Sequence, residues 1–555
     1  MNLEGLNLAG DISTSAEDLA RFSRDASIFE VKPEVIVAPK NSQDIQNLVK
    51  WVSKHKSNQP NLSITARSAG TDMSGGPLND SIVLDFMKYF NHVLEVGGDY
   101  AVTEPGVYYR DFEKATLAKG LLLPSYPASR DLCAMGGIVS NNSGGEKSLS
   151  YGKTERYVQE LNVVLSDGNE YAFGALTADQ LQSKKSQQNF EGQVYRQIHA
   201  LIESNYDTIM SAKPDVSKNS AGYYLWNVWD KAQGKFDLTK LFVGAQGTLG
   251  LMTQAKLKLI HPKKYSKLLV IFMNDLAPLG ELVKEVMKFK PESFETYDDQ
   301  TLKLAVRFLP DLMKKIGLNF FALITQFLPE LGMVITGGFP KLVLLAEFTG
   351  DQESEVDEKL KMAHEAVRTK FSAEGGSASG GNLKTHITAT ENEEEKYWTI
   401  RRESFNLLRK HVHGKHTAPF IDDVVVHVNQ LPTFLPRLNA LVGQYRGLTY
   451  TIAGHAGDAN FHVIPLMDFR SQANRDAIPE LSEKVYDLVV SMHGSITGEH
   501  NDGLIRTPYL EKMYGPQIIE LFKQTKHIFD PQNIFNPRKK VGGTLDYALK
   551  HIMKE

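Results

Sequence analysis

In the first half of the chain, short β-branched runs alternate with stretches whose apolar residues recur at helical spacing. Val35-Ile36-Val37 is followed by Asn41, a good N-cap residue. Ile45, Leu48, Val49 and Val52 then recur on one helical face. Pro33–Val52 therefore predicts a strand and then a helix. Leu62–Thr65, Ile82–Asp85 and Tyr100–Glu104 predict further strands. Leu161–Leu165 runs into Ser166-Asp167-Gly168-Asn169, a hairpin signal. Past His261-Pro262 the glycine-rich character fades. Leu268–Met273 and Leu342–Phe348 predict strands, Leu276–Phe289 and Ser354–Lys370 predict helices, and Ser372–Asn382 predicts a loop. The pattern predicts an α+β protein with one domain over residues 1–262 and a second over 263–555.

Two domains suit the length, since 555 residues exceed what one core usually serves. A net charge of −4 gives no footing for a nucleic-acid partner. Cys133 is the single cysteine, which excludes an intramolecular disulfide framework and fits a reducing, cytoplasmic setting. No basic start followed by an apolar run opens the sequence, so no signal peptide is predicted. The least polar stretch, Leu318–Phe348, is interrupted by Pro329, Glu330, Gly337, Gly338, Pro340 and Lys341, and is too broken to span a bilayer. It follows the basic amphipathic segment Leu302–Ile316. Together, 302–348 reads either as buried core or as a peripheral membrane contact.

Three segments concentrate glycine and small polar residues: Ala66–Gly76, Ala134–Gly145 and Gly244–Gly250. Such backbones approach a ligand closely, and their successive N–H groups can cradle an anion. Singly, each is as readily a tight turn. No Gly-x-Gly-x-x-Gly opens a helix. Gly152-Lys153-Thr154 resembles the end of a P-loop, but Lys147 stands where its first glycine belongs.

The second half carries a different chemistry. Thr449–Ala453 and Phe461–Leu466 predict two strands around Gly454-His455-Ala456-Gly457-Asp458-Ala459-Asn460. A hairpin there lets His455 and His462 face one site, and Glu499 and His500 lie in a later glycine-flanked turn. Two histidines and a carboxylate form a metal triad with open positions, serving a metal-dependent hydrolase as well as an oxidation. His411, His413 and His416 read instead as a polar loop near a helix end.

In this order, with Pro105-Gly106-Val107 and Leu123–Pro127 between the first two, the glycine loops resemble the FAD-binding domain of the vanillyl-alcohol oxidase/PCMH flavoprotein family, over roughly Phe29–Pro262. The resemblance implies that Ser68, Ala69, Gly70, Thr71, Asp72, Ser74 and Gly75 cradle the FAD pyrophosphate. Gly136, Gly137, Ser140, Asn141, Ser143, Gly144 and Gly145 would run beside the phosphates and the ring, and Tyr151 and Gly247 would complete the pocket. Thr71 stands where relatives with histidyl-linked flavin have histidine, implying FAD that is not covalently bound. Gln246 replaces a glutamate frequent in the family.

The histidine segments resemble the C-terminal FAD-linked oxidase domain of D-lactate, glycolate and D-2-hydroxyglutarate dehydrogenases, whose patterns are Gly-His-x-Gly-Asp-Gly-Asn-x-His and Gly-Glu-His-Gly. Ala459 and Asn501 replace two of those glycines. By resemblance His455, His462 and Glu499 hold a divalent metal, Zn or Mn, and His500 is the catalytic base. Arg401, in Trp398-Thr399-Ile400-Arg401, grips the substrate carboxylate, with Arg506 a weaker candidate. No lysine in Pro419–Val424 matches the one that reads a distal carboxylate. Asn536, before Pro537, would lie near the flavin, so the final ~40 residues are expected to pack back there. The implied activity is FAD-dependent oxidation of a D-lactate-like D-2-hydroxy acid, with hydride passing to flavin N5 and electrons to a quinone, an electron-transfer protein or a cytochrome. A non-redox flavoprotein resembling alkyl-glycerone-phosphate synthase stays open beside it.

Overall fold

The strands of the computed structural model, which describes residues 3, 5–299, 301–303, 339–371, 383–411, 414–445 and 448–554, sort in chain order into three sheets. The first holds β1 (Asp11–Ser13), β2 (Val35–Ala38), β3 (Ile64–Arg67) and β4 (Ile82–Asp85) in the order β1-β2-β4-β3. β2 and β3 run parallel to β4. Every residue of β2 and β4 is buried, as continuous apolar runs in a parallel sheet require. Asn41 caps the helix Ser42–His55 by accepting from Asp44 N at 3.0 Å, and the predicted face Ile45, Leu48, Val49 and Val52 packs onto Val35, Val37 and Ile64.

The second sheet is antiparallel: β5 (Val93–Val96), β6 (Tyr100–Thr103), β7 (Val158–Val164), β8 (Glu170–Leu176), β9 (Trp229–Asp230), β10 (Lys235–Asp237) and β11 (Leu251–Lys258), in the order β5-β6-β11-β7-β8-β10-β9. The predicted hairpin joins β7 to β8, with Leu161 opposite Phe173.

The third sheet takes β12 (Tyr265–Met273), β13 (Ser293–Asp298), β14 (Leu342–Gly350), β15 (Lys384–Ile387), β16 (His416–Thr417), β17 (Val424–Val425), β18 (Thr449–His455) and β19 (Asn460–Met467). Its order is β15-β12-β14-β13-β18-β19-β16, with β17 also on β19. Both faces are covered. Leu269, Ile271 and Met273 join a core with the helices Leu279–Met287 and Glu353–Phe371. Leu268, Val270 and Phe272 join another with Tyr397, Trp398 and Ile400 of the helix Glu391–His411. Strand alternation between two cores explains why β12 reads as an unbroken apolar run. The loop expected at 372–382 lies outside the described residues, as does most of 302–348. The described end of the latter, Leu342–Phe348, is β14, a mostly buried strand between β12 and β13. Among the described residues no helix is long and apolar enough to cross a membrane.

The chain's last segment returns to the first sheet. Ile64 N donates to Ile534 O at 2.7 Å, and Asn536 N donates to Ile64 O at 2.8 Å. The buried Asn536 amide donates to Gly76 O and Gln246 O, and accepts from Thr65 Oγ1 at 2.9 Å. It thereby staples the first glycine loop to the third. Asn536→Ala would strand two buried carbonyls and a hydroxyl, a cost of about 2–4 kcal/mol. Thermal unfolding should show a clearly lowered midpoint. A midpoint equal to the parent's would mean that the staple carries no stability.

Candidate active site

A cavity of about 1310 Å³ runs from the glycine loops to the third sheet. The first loop lines it with Ser68, Ala69, Gly70, Thr71 and Asp72. The second contributes Gly136, Gly137, Ser140, Asn141, Ser143, Gly144 and Gly145, and the third Gln246 and Gly247. Arg401, His455, His462, Glu499 and His500 line the other end. Four candidates from the sequence stand behind the wall instead. Ser74 donates its hydroxyl to Asp72 at 2.8 Å, Gly75 packs against Phe29 and Leu504, Tyr151 donates to Glu292 at 3.0 Å, and Asn536 is the staple already described.

The β18–β19 hairpin pairs Ala453 with His462 and His455 with Asn460, which brings the two histidine rings edge to face, 5.3 Å apart. Ala459 closes the hairpin loop at φ +50° and Asn501 sits at φ +67°, so both replacements of family glycines keep the left-handed conformation. Asn501 also uses its side chain, donating to Asn141 O at 3.1 Å and Gly244 O at 2.9 Å. Glu499 and His500, neighbours in sequence, both reach the cavity because Asp423 bends the backbone between them. Its Oδ2 accepts from Glu499 N (2.8 Å), His500 N (2.7 Å) and Thr497 Oγ1 (2.7 Å).

Carboxylates take one nitrogen of each histidine. His455 Nδ1 lies 2.6 Å from Glu295, and His462 Nδ1 and His500 Nδ1 lie 3.1 and 2.7 Å from the two oxygens of Asp422. Such pairs orient metal-binding imidazoles and leave Nε2 for the ion. His455, His462 and Glu499 offer ligand atoms within 4.8 Å of one another, and His455 Nε2 is 3.4 Å from Glu499 Oε2. Lys218 holds the other Glu499 oxygen at 2.6 Å and Asp458 at 3.0 Å. Burial opposes charge on His455 and His500, yet Glu295 beside the first and Asp422 and Asp423 beside the second raise each to about 9. Glu295, Asp422, Asp423, Asp458 and Glu499 are buried around the histidines, and Lys153, Lys218, Arg401 and Arg506 are the neighbouring cations, five acids against four bases.

The family described as "FAD linked oxidases, C-terminal domain" matches residues 262–540, and "FAD binding domain" matches 33–174. The chain belongs to the FAD-linked oxidase family. It is 26% identical to a D-2-hydroxyglutarate dehydrogenase of Pseudomonas putida over 97% of its own length and 51% of that protein, so it spans about half of that relative. It is 27% identical to the glycolate oxidase subunit GlcD of Bacillus subtilis, over 93% of this chain and 91% of that one. The fold is that of p-cresol methylhydroxylase (TM-score 0.65, 16% identity, 96% of this chain and 94% of that one).

The loops of this FAD-linked oxidase fit a dinucleotide closely approached by backbone. Gly70 has φ +70°, and no atom lies within 4 Å of where a Cβ on Gly137 would stand. A Cβ on Gly144 would come within 3.0 Å of Glu499 Oε1, so the second loop abuts the carboxylate of the histidine cluster. Gln246 replaces an acid for a visible reason. Its Nε2 donates to Ser74 Oγ and Asn141 Oδ1 while its Oε1 accepts from Gly503 N, a dual role closed to a carboxylate.

Arg401 lines the cavity and meets Glu295 at 3.0 Å, so that carboxylate joins it to His455. Arg506 is wholly buried away from the cavity, donating to Asn501 O and Asp422 O. Lys153 points to Gly498 O at 2.8 Å rather than toward a phosphate cradle. His416 stacks on Phe469, while the His411 and His413 side chains lie outside the described residues. Sequence reasoning missed Glu295, Asp422, Asp423 and Lys218. Asp422-Asp423 stood in a segment searched for lysine. Ser293–Asp298 was not read as a strand, because polar side chains occupy much of it.

Arg402 reaches across to the second loop and grips Glu146 with two nitrogens, at 2.7 and 3.1 Å. Burial works against the Glu146 charge, but Arg402 holds its pKa at about 2, below the ordinary 4.5. A depressed carboxylate stabilises the fold above its unfolded pKa, and that stabilisation fades as pH falls toward the folded value. Glu146→Gln should therefore lower the thermal midpoint at pH 7 and lower it less at pH 3. An equal deficit at both pH values would count against the pair.

Proposed function

We propose that this oxidase converts a D-2-hydroxy acid of the D-lactate type to the 2-oxo acid. The observation that carries the reading is the single cavity, which joins loops built for FAD to a histidine–carboxylate cluster. Bound FAD would supply the hydride acceptor, and a divalent cation, Zn or Mn, would draw substrate hydroxyl and carboxylate together and acidify the hydroxyl. His455, His462 and Glu499 would hold that cation. Arg401 would bind the substrate carboxylate from its place on the cavity wall, since a guanidinium pairs with a carboxylate through parallel hydrogen bonds. A cation held beside His500 would oppose the charge that Asp422 and Asp423 favour on it, and the neutral ring, with Nδ1 committed to Asp422, would take the hydroxyl proton at Nε2. Gly144 keeps the wall thin where the second loop meets Glu499.

A single carboxylate on the substrate is favoured by the cavity's charge pattern. Among the described residues that line it, Arg24, Arg130, Arg401 and Arg402 already meet Glu30, Glu113, Glu295 and Glu146. The first substrate carboxylate would share Arg401 with Glu295, and a second would have to share one of the other three pairs as well. Reoxidation would fall to a quinone, an electron-transfer protein or a cytochrome. A hydrolase reading explains the cluster but leaves the FAD-binding domain without a task.

Thr71 offers no attachment point for the ring, so acid precipitation should release all flavin into solution. Flavin that stays with the protein pellet would contradict this. An anaerobic screen of D- and L-2-hydroxy acids should bleach the flavin with a D-monocarboxylate. Bleaching by none of them would overturn the activity. His462→Ala should lose metal and activity together while keeping FAD. His500→Ala should keep both metal and FAD but reduce its flavin about 100-fold or more slowly in stopped flow. A parent rate in His500→Ala would remove it as base.

A further inference from the structure

We infer that Asp422 is a positioning residue that fixes the tautomer and ring plane of His462 and His500 at once. The inference rests on the proposed reading of the site, in which the first histidine is a metal ligand and the second the base. The Asp422 side chain is fully buried. Its Oδ1 lies 3.1 Å from His462 Nδ1 and its Oδ2 lies 2.7 Å from His500 Nδ1. The two rings stack on each other, centroids 5.0 Å apart and planes 24° apart. A carboxylate only accepts, so both Nδ1 atoms must carry hydrogen, and both Nε2 atoms are left to act in the cavity.

The histidines come from separate parts of the chain, one from β19 and one from the loop after Gly498, and this carboxylate is the described group that both rings share. Asp422 is itself held. Arg506 donates to its carbonyl at 2.8 Å and to Asn501 O at 3.0 Å, Tyr486 ties down Phe420 O, and Asp423 clamps the backbone of Glu499 and His500. His455 takes its orientation from a different carboxylate, Glu295, so it serves as an internal control.

Asparagine has the same shape but presents one acceptor and one donor pair. In Asp422→Asn the amide N–H₂ must face one of the two Nδ1 atoms, and that ring is driven to carry its hydrogen on Nε2. Either His462 then ceases to be a good ligand or His500 ceases to accept a proton.

The test uses full-length holoprotein, with FAD content and thermal midpoint as checks on folding. Asp422→Asn should retain FAD, and either bind Zn²⁺ or Mn²⁺ at least tenfold more weakly in equilibrium dialysis or, at saturating metal, reduce its flavin at least tenfold more slowly. A lowered rate should not fall further when His500→Ala is added, because Asp422 acts through that ring. Full additivity of the two losses would overturn the inference, and so would parent-like metal affinity and rate in Asp422→Asn. A second measurement needs no variant at the position. In ¹⁵N spectra of the Zn²⁺-loaded, histidine-labelled protein, with signals assigned by His462→Ala and His500→Ala, both rings should carry hydrogen on Nδ1. Hydrogen on Nε2 alone in either ring refutes the assignment even if the asparagine variant fails to fold. Should His462→Ala keep its metal and His500→Ala its rate, the reading of the site fails instead. Losses in those two beside a parent-like Asp422→Asn sink only this inference.

Discussion

A carboxylate with no exposed surface must find donors within the protein, and Asp423 finds four. Asn460 Nδ2 serves one oxygen, and Thr497 Oγ1 with the backbone N–H groups of Glu499 and His500 serves the other. To reach them the residue adopts φ +68°, a left-handed conformation uncommon outside glycine that aspartate tolerates better than most side chains. What it obtains is the turn itself. An extended chain would send Glu499 and His500 to opposite sides, whereas the clamp lets both reach one cavity. The β18–β19 hairpin, the later loop and the short strand β17 all meet at this group, so the cluster is organised from behind before any ligand arrives.

The parts legible in the sequence are those where local pattern and tertiary role agree. The helix after Asn41 and the strands Ile82–Asp85 and Phe461–Leu466 follow from apolar spacing alone. The histidine hairpin does too, since glycine and asparagine mark its turn. The acids behind the histidines were not legible. Glu295 lies on a strand buried on both sides, where Ser293, Glu295, Thr296 and Asp298 are polar and the two acids answer to groups distant in sequence: Arg401, His455 and, for Asp298, the Ile452 backbone. No local period records such a partner. Ser74, Gly75, Tyr151 and Asn536 stand behind the cavity lining, because a motif marks residues near a ligand without telling wall from brace.

The bonds between the halves are numerous and mostly buried. Asn501 reaches the carbonyls of Asn141 and Gly244, Gln246 receives Gly503 N, Ser74 O receives Leu504 N, and Lys153 reaches Gly498 O. Arg402 and Glu146 add an ion pair on the other side of the cavity. A cluster that must keep register with a cofactor gains from such bracing, because small displacements at the reacting centre are costly.

That bracing is unevenly distributed. The Glu499–Asn501 loop is tied through its own backbone and side chains, so almost any replacement there disturbs cofactor loops and histidines together. Thr399, Thr451 and Ile464 also face the cavity, but from the helix Glu391–His411 and from β18 and β19, and none of them belongs to the network that joins the halves. Substitutions at these three positions leave the bonds between the halves untouched, so this part of the cavity wall can change shape without moving the glycine loops or the histidines.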